Sequence, residues 1–79
     1  MINPTTGMTA RHWTAQTSLL ISRYATIPIL YDDSGWKAWA AYVCSIPALA
    51  AVSVPRPEIF KDWREWAISF NAQTRNLGL

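Results

Sequence analysis

Asp62 and Glu65 stand three positions apart, Asp32 and Asp33 are adjacent, and His12 and Cys44 are each the sole residue of their kind. These are the side chains able to carry acid–base or nucleophilic chemistry. Residues at i and i+3 share a helix face, so Asp62 and Glu65 could form a paired-carboxylate site; the same pair is also ordinary polar helix surface. Asp32, Asp33 and Ser34 offer acceptors to the free amides at a helix start, where negative charge is favoured. His12 has no thiol or carboxylate close to it in the sequence and reads as a surface residue rather than a general base. Cys44, between Val43 and Ile46, reads as a small buried hydrophobe. Gly7, Gly35 and Gly78 make no phosphate-binding loop, and one histidine with one cysteine cannot assemble a zinc set. No catalytic residue, metal or cofactor is expected, and the chain is expected not to be an enzyme.

Lys37 and Arg64 sit beside tryptophans, a pairing that in single-strand binders stacks bases. Neighbouring helix positions point about 100° apart, so the two bases should face solvent while the indoles face inward, with Arg64 near Asp62 or Glu65. Seven bases against five acids give a formal charge of +2, scattered rather than striped, so a nucleic-acid or regulatory module is only an alternative. Ala38 to Pro55 carries no charge, yet it falls short of the roughly 20 residues that span a bilayer and Pro47 interrupts it. A membrane-active or membrane-anchored peptide is therefore the other alternative. Met1 to Thr9 is polar and Arg11 follows it, so no secretory leader is expected. A lone cysteine fits a reducing compartment.

The elements that must position these groups are short. Pro4, Thr5, Thr6 and Gly7 mark residues 1–9 as an extended arm, leaving 10–79 as one small helical domain. Thr9 caps a helix over about Ala10 to Ala25, with Trp13, Thr17, Leu20 and Tyr24 on one face. Thr26 to Tyr31 is an extended or turning segment around Pro28. A second helix runs from about Ser34 to Ser45 and Pro47 ends it. Ile46 to Val54 is an apolar connector, closed by Pro55-Arg56-Pro57. Pro57 followed by Glu58 opens a third helix reaching about Arg75, with Ile59, Trp63, Trp66, Ala67 and Phe70 inward. The fold class is all-α, a small three-helix domain with an extended N-terminal arm and a Pro-bounded apolar connector.

One pattern is written twice: Trp36-Lys37-Ala38-Trp39-Ala40, and 27 positions on, Trp63-Arg64-Glu65-Trp66-Ala67. Trp at i and i+3, Ala at i+4 and an apolar residue at i+7 make one stripe on a helix, which is a packing signature. Leu20, Trp39, Val43, Trp66, Ala67 and Phe70 are the expected core. Trp13, Trp36 and Trp63, nearer helix starts, together with Tyr24, Tyr31 and Phe60, are the expected partner-facing residues, since aromatic anchors dominate interfaces. With 51% hydrophobic residues and 15% charged against roughly 25% in an average domain, the chain should share apolar surface with a partner.

Pro55-Arg56-Pro57-Glu58-Ile59-Phe60-Lys61-Asp62-Trp63-Arg64-Glu65-Trp66-Ala67 is similar to a segment of small virion structural proteins of tailed bacteriophages. That resemblance implies a non-enzymatic chain present in many copies on a symmetric particle, at the neck, tail, fibre attachment or capsid surface. Its implied partners are other virion or assembly proteins, and its implied location is the virion, assembled in the host cytoplasm. The arm and the exposed aromatics would then grip neighbouring subunits.

Overall fold

Three helices carry the chain in the computed structural model, which describes residues 3–4, 7–50 and 52–75. They are α1 (Ala10–Ile21), α2 (Trp36–Cys44) and α3 (Trp63–Thr74), with single 3₁₀ turns at Asp33–Gly35, Pro47–Leu49 and Pro57–Ile59. No strand occurs among the described residues. The fold is a small all-α domain.

Local chemistry sets each boundary. Thr9 Oγ1 accepts the His12 amide at 3.1 Å, which starts α1. The helix stops at Ile21, four residues before the expected Ala25, because the Tyr24 and Ala25 amides both turn back to the Ile21 carbonyl. Asp33–Gly35 forms its own 3₁₀ turn, so α2 begins at Trp36 rather than Ser34. The third helix departs most from expectation. Pro57-Glu58 opens only one 3₁₀ turn, Phe60 is extended, and α3 begins at Trp63 after an Asp62 cap that accepts the Glu65 amide at 3.0 Å.

All three helices start at one end of the molecule. Asp33 Oδ1 accepts the Ala10 amide at 3.1 Å, placing the entry to α2 beside the entry to α1. Arg64 Nη2 donates to the Met8 carbonyl at 2.7 Å, bringing the start of α3 to the same place. The segment between α1 and α2 must therefore run back along α1. Its contacts trace that path: the Ser18 hydroxyl donates to the Ile27 carbonyl, and the Leu30 amide donates to Thr14 Oγ1. Arg11 then covers the Tyr31 ring at 5.0 Å.

This common start brings the fourth residue of every helix to one point. Trp13, Trp39 and Trp66 meet edge to face, with centroids 6.3, 6.2 and 5.3 Å apart and ring planes 77°, 85° and 82° apart. Phe70 stacks on Trp66 at 5.0 Å and meets Trp13 at 6.2 Å. Trp39, Val43, Trp66, Ala67 and Phe70 are all buried in this core.

The 27-residue spacing extends beyond the pentapeptide. Ala25-Thr26-Ile27-Pro28 corresponds to Val52-Ser53-Val54-Pro55, and the match is physical as well as textual. Trp39 Nε1 donates to the Pro28 carbonyl at 2.7 Å; Trp66 Nε1 donates to the Pro55 carbonyl, also at 2.7 Å. Helix α1 joins the series at a spacing of 26. Its buried Ala10, Trp13, Thr14 and Thr17 correspond to Trp36, Trp39, Ala40 and Val43, and to Trp63, Trp66, Ala67 and Phe70. The molecule is thus a series of helices alternating with extended return segments, each of the last two helices latched to the return segment before it by an indole N–H.

Candidate functional site

The carboxylates with the most reactive spacing are occupied by the backbone. Asp62 caps α3, and Glu65 Oε2 accepts the Lys61 amide at 3.2 Å, so the two together close the helix start in the manner of a capping box. Asp32 Oδ1 accepts the Ser34 amide at 3.0 Å, and this backbone hydrogen bond, with a further one from the Ser34 side chain, holds its carboxyl below the usual carboxylate range. Asp33 caps α1 across the fold rather than its own helix. His12 is exposed. Among the described residues, no group of three His, Cys, Asp or Glu side chains gathers where it could hold a metal ion.

Cys44 corrects its expected place. The side chain is exposed rather than buried, and its thiol donates to the Pro55 carbonyl at 3.3 Å. Partial burial raises the thiol above its ordinary value, nearby Glu58 adds to the rise, and Arg56 opposes it. A thiol held protonated in this way is a poor nucleophile.

The expected partner-facing residues divide sharply. Trp13, Trp36 and Trp63 are 1%, 8% and 4% exposed, so the single chain already covers them. The reason is the common helix start, which turns positions in the first helical turns into the interior. Phe60 is half-buried against the core, and Tyr24 is just exposed. Tyr31 lies outside at 70% exposure, under the Arg11 guanidinium. Leu20, expected in the core, is 45% exposed. The buried face of α1 runs through Ala10, Thr14, Thr17 and Ile21, and Leu20 lies about 100° from Ile21, at its edge.

Of the bases beside the tryptophans, Lys37 is exposed as expected, whereas Arg64 is half-buried. Lys37 Nζ lies 5.9 Å over the Trp36 ring and the Arg64 guanidinium 4.8 Å over Trp63, so each base folds back over its neighbour's ring. Arg64 is tied to the Met8 carbonyl. Trp63 Nε1 is buried without a hydrogen-bond partner, as is the Thr17 hydroxyl.

Large apolar side chains also remain on the surface. Leu19, Leu20, Tyr24, Ile29, Tyr31, Tyr42, Ile59 and Ile68 are all exposed, spread over every helix and both connecting segments. Four residues outside the expected site set hold the elements together: Pro28 and Pro55 through their carbonyls, and Asn71 and Asn3 through an amide pair at 3.2 Å. The prolines were visible in the repeat, at equal distances before Trp39 and Trp66. The asparagines carried no signal, because 68 positions separate them. The expected arm falls partly on residues outside those described; Asn3 and Met8, which are described, lie against α3 of their own chain. No helix among the described residues is long and apolar enough to cross a membrane. No family model, curated protein or solved structure matches the chain.

Proposed function

We propose that this chain is a non-enzymatic assembly protein, a multi-copy minor component of a bacteriophage virion that docks on neighbouring subunits. One observation carries the proposal. Every acid with catalytic spacing is engaged in closing a helix or turn, while eight large apolar side chains stand exposed around a fold that buries all five indoles. Apolar side chains distributed over several faces suit contact with more than one neighbour. Tyr24, Tyr31 and Tyr42 are the aromatic anchors left for such contacts, in place of Trp13, Trp36 and Trp63. The similarity of the Pro55–Ala67 segment to small virion proteins of tailed bacteriophages supports the same reading.

The test is sedimentation of native material through a density gradient, with the chain followed by peptide mass spectrometry. Co-migration with large particles at stoichiometric abundance is the expected result. Recovery with membranes would replace the proposal by the membrane-active alternative, and recovery as a small free species by a regulatory one.

A further inference from the structure

Helix α3 turns one narrow stripe outward. Its exposed residues are Glu65, Ile68 and Ala72, and Arg75, which caps the helix, is exposed in line with them. Spacings of three, four and three keep all four on one face. That spacing is the same read from either end, while the chemistry reverses: an acid at the start, a base at the finish, and a large apolar side chain and a small one between. Ile68 is 55% exposed. Glu65 gives Oε2 to the Lys61 amide, which leaves Oε1 unengaged, and the Arg75 guanidinium has no partner among the described residues. The other two helices lack this property. The exposed residues of α1 include Arg11 and His12 and those of α2 include Lys37, but neither helix exposes an acid.

We propose that this stripe is a contact between two copies of the chain, packed antiparallel about a two-fold axis level with Phe70. Glu65 of each copy then meets Arg75 of the other, and Ile68 of each rests over Ala72 of the other, so every pair is made twice. A two-fold contact requires one patch to be complementary to itself, and this stripe meets that condition in charge and in size. The small side chain of Ala72 leaves room for Ile68 and lets the helix axes approach to about 8 Å. The inference deepens the assembly reading above by naming one neighbour as a second copy, and rests on it for its biological setting.

Burial of Ile68 supplies the attraction. The paired charges fix direction and register, because exposed ion pairs contribute little by themselves and like charges in the wrong arrangement repel. A parallel arrangement would set Glu65 beside Glu65 and Arg75 beside Arg75. Faces about 15 Å long make a contact well below the standard interface size, so the free dimer should be weak, with a dissociation constant on the order of 1 mM. Isolated copies should stay separate at micromolar concentration, and copies held close on a symmetric particle should pair.

The experiment is sedimentation equilibrium of the full chain from about 20 µM to about 2 mM, over which dimer should rise from a few per cent to more than half. Arg75→Glu should weaken the dimer about 5-fold or more, and so should Glu65→Arg, since each replaces two attractive pairs by two repulsive ones. An equimolar mixture of the two variants should restore it, because a copy with acids at both positions then meets a copy with bases at both. Ile68→Lys, at an exposed position, should abolish the dimer with the circular dichroism of the fold unchanged. That variant and Arg75→Glu decide the matter if Glu65→Arg, which loses the acceptor of the Lys61 amide, does not fold. A chain monomeric at about 2 mM, a dimer indifferent to Arg75→Glu or Ile68→Lys, or a mixture of folded variants that stays monomeric would overturn the proposal. Absence of dimer alongside co-sedimentation with particles removes this contact and leaves the assembly reading standing. Dimer without particle association does the reverse.

Discussion

Thr17 occupies a position that its two counterparts fill with Val43 and Phe70, and its buried hydroxyl has no partner. Replacing it with the isosteric valine removes the desolvation cost and keeps the shape. Thr17→Val should raise stability by about 1 kcal/mol, seen as a higher urea midpoint at unchanged slope. The indoles divide on the same principle. Trp39→Phe and Trp66→Phe take the donor from a proline carbonyl and should each lose about 1 kcal/mol beyond the lost packing. Trp63→Phe removes a donor that has no acceptor, so it should be the mildest of the three. Equal losses in urea titrations would show that the Pro28 and Pro55 latches contribute nothing. Cys44 adds a pH signature. Its folded-state thiol titrates above the ordinary range, so the unfolded chain releases that proton first as pH rises. Stability should therefore fall as pH climbs through the ordinary thiol value, and Cys44→Ser should flatten the fall. Iodoacetamide should label the folded thiol more slowly at pH 8 than it labels a free cysteine.

Among the elements, α3 shows how a start signal is decided. Two signatures lie in its sequence, Pro57-Glu58 and Asp62-x-x-Glu65, and the second prevails because Phe60 is extended between them. Asp62→Ala should cost about 1 kcal/mol through the lost cap. The double change with Glu65→Ala should cost less than the two single losses together, since both groups serve one helix end. A thermal-melt series on the four proteins reads this directly; additive losses would mean that the carboxylates act separately. The existence of three helices, the Thr9 cap and the Trp stripes were legible in the sequence, because periodicity and capping are local. The common helix start was not, because it depends on contacts such as Ala10 with Asp33 and Met8 with Arg64, which span 23 and 56 positions. That unseen arrangement is also what turned Trp13, Trp36 and Trp63 inward. Leu20 illustrates a finer limit: a stripe through Thr17 permits either Leu20 or Ile21 inward, and only the placement of the neighbouring helices selects Ile21.

For the molecule as a whole, composition alone argued that the chain needs a partner to cover its apolar residues. Its dimensions are those of a compact single chain. The accessible surface is 4772 Å², beside about 4,800 Å² for a folded monomer of this mass. The radius of gyration is 11.2 Å, beside about 11.6 Å for a compact domain of this length. Aromatic residues achieve this closure: five indoles and Phe70 fill the centre of a chain too short to do so with aliphatic side chains, and the bases over Trp36 and Trp63 lie across rings at its edge. Folding and association should then be separate events. The isolated chain should unfold in one cooperative transition whose midpoint does not move between about 5 and 50 µM. Circular dichroism melts at the two concentrations decide this. A midpoint that rises with concentration would mean that the partner is part of the fold, and the exposed Tyr31, Tyr42 and Ile59 would then be interior residues of an obligate oligomer instead of contacts made after folding.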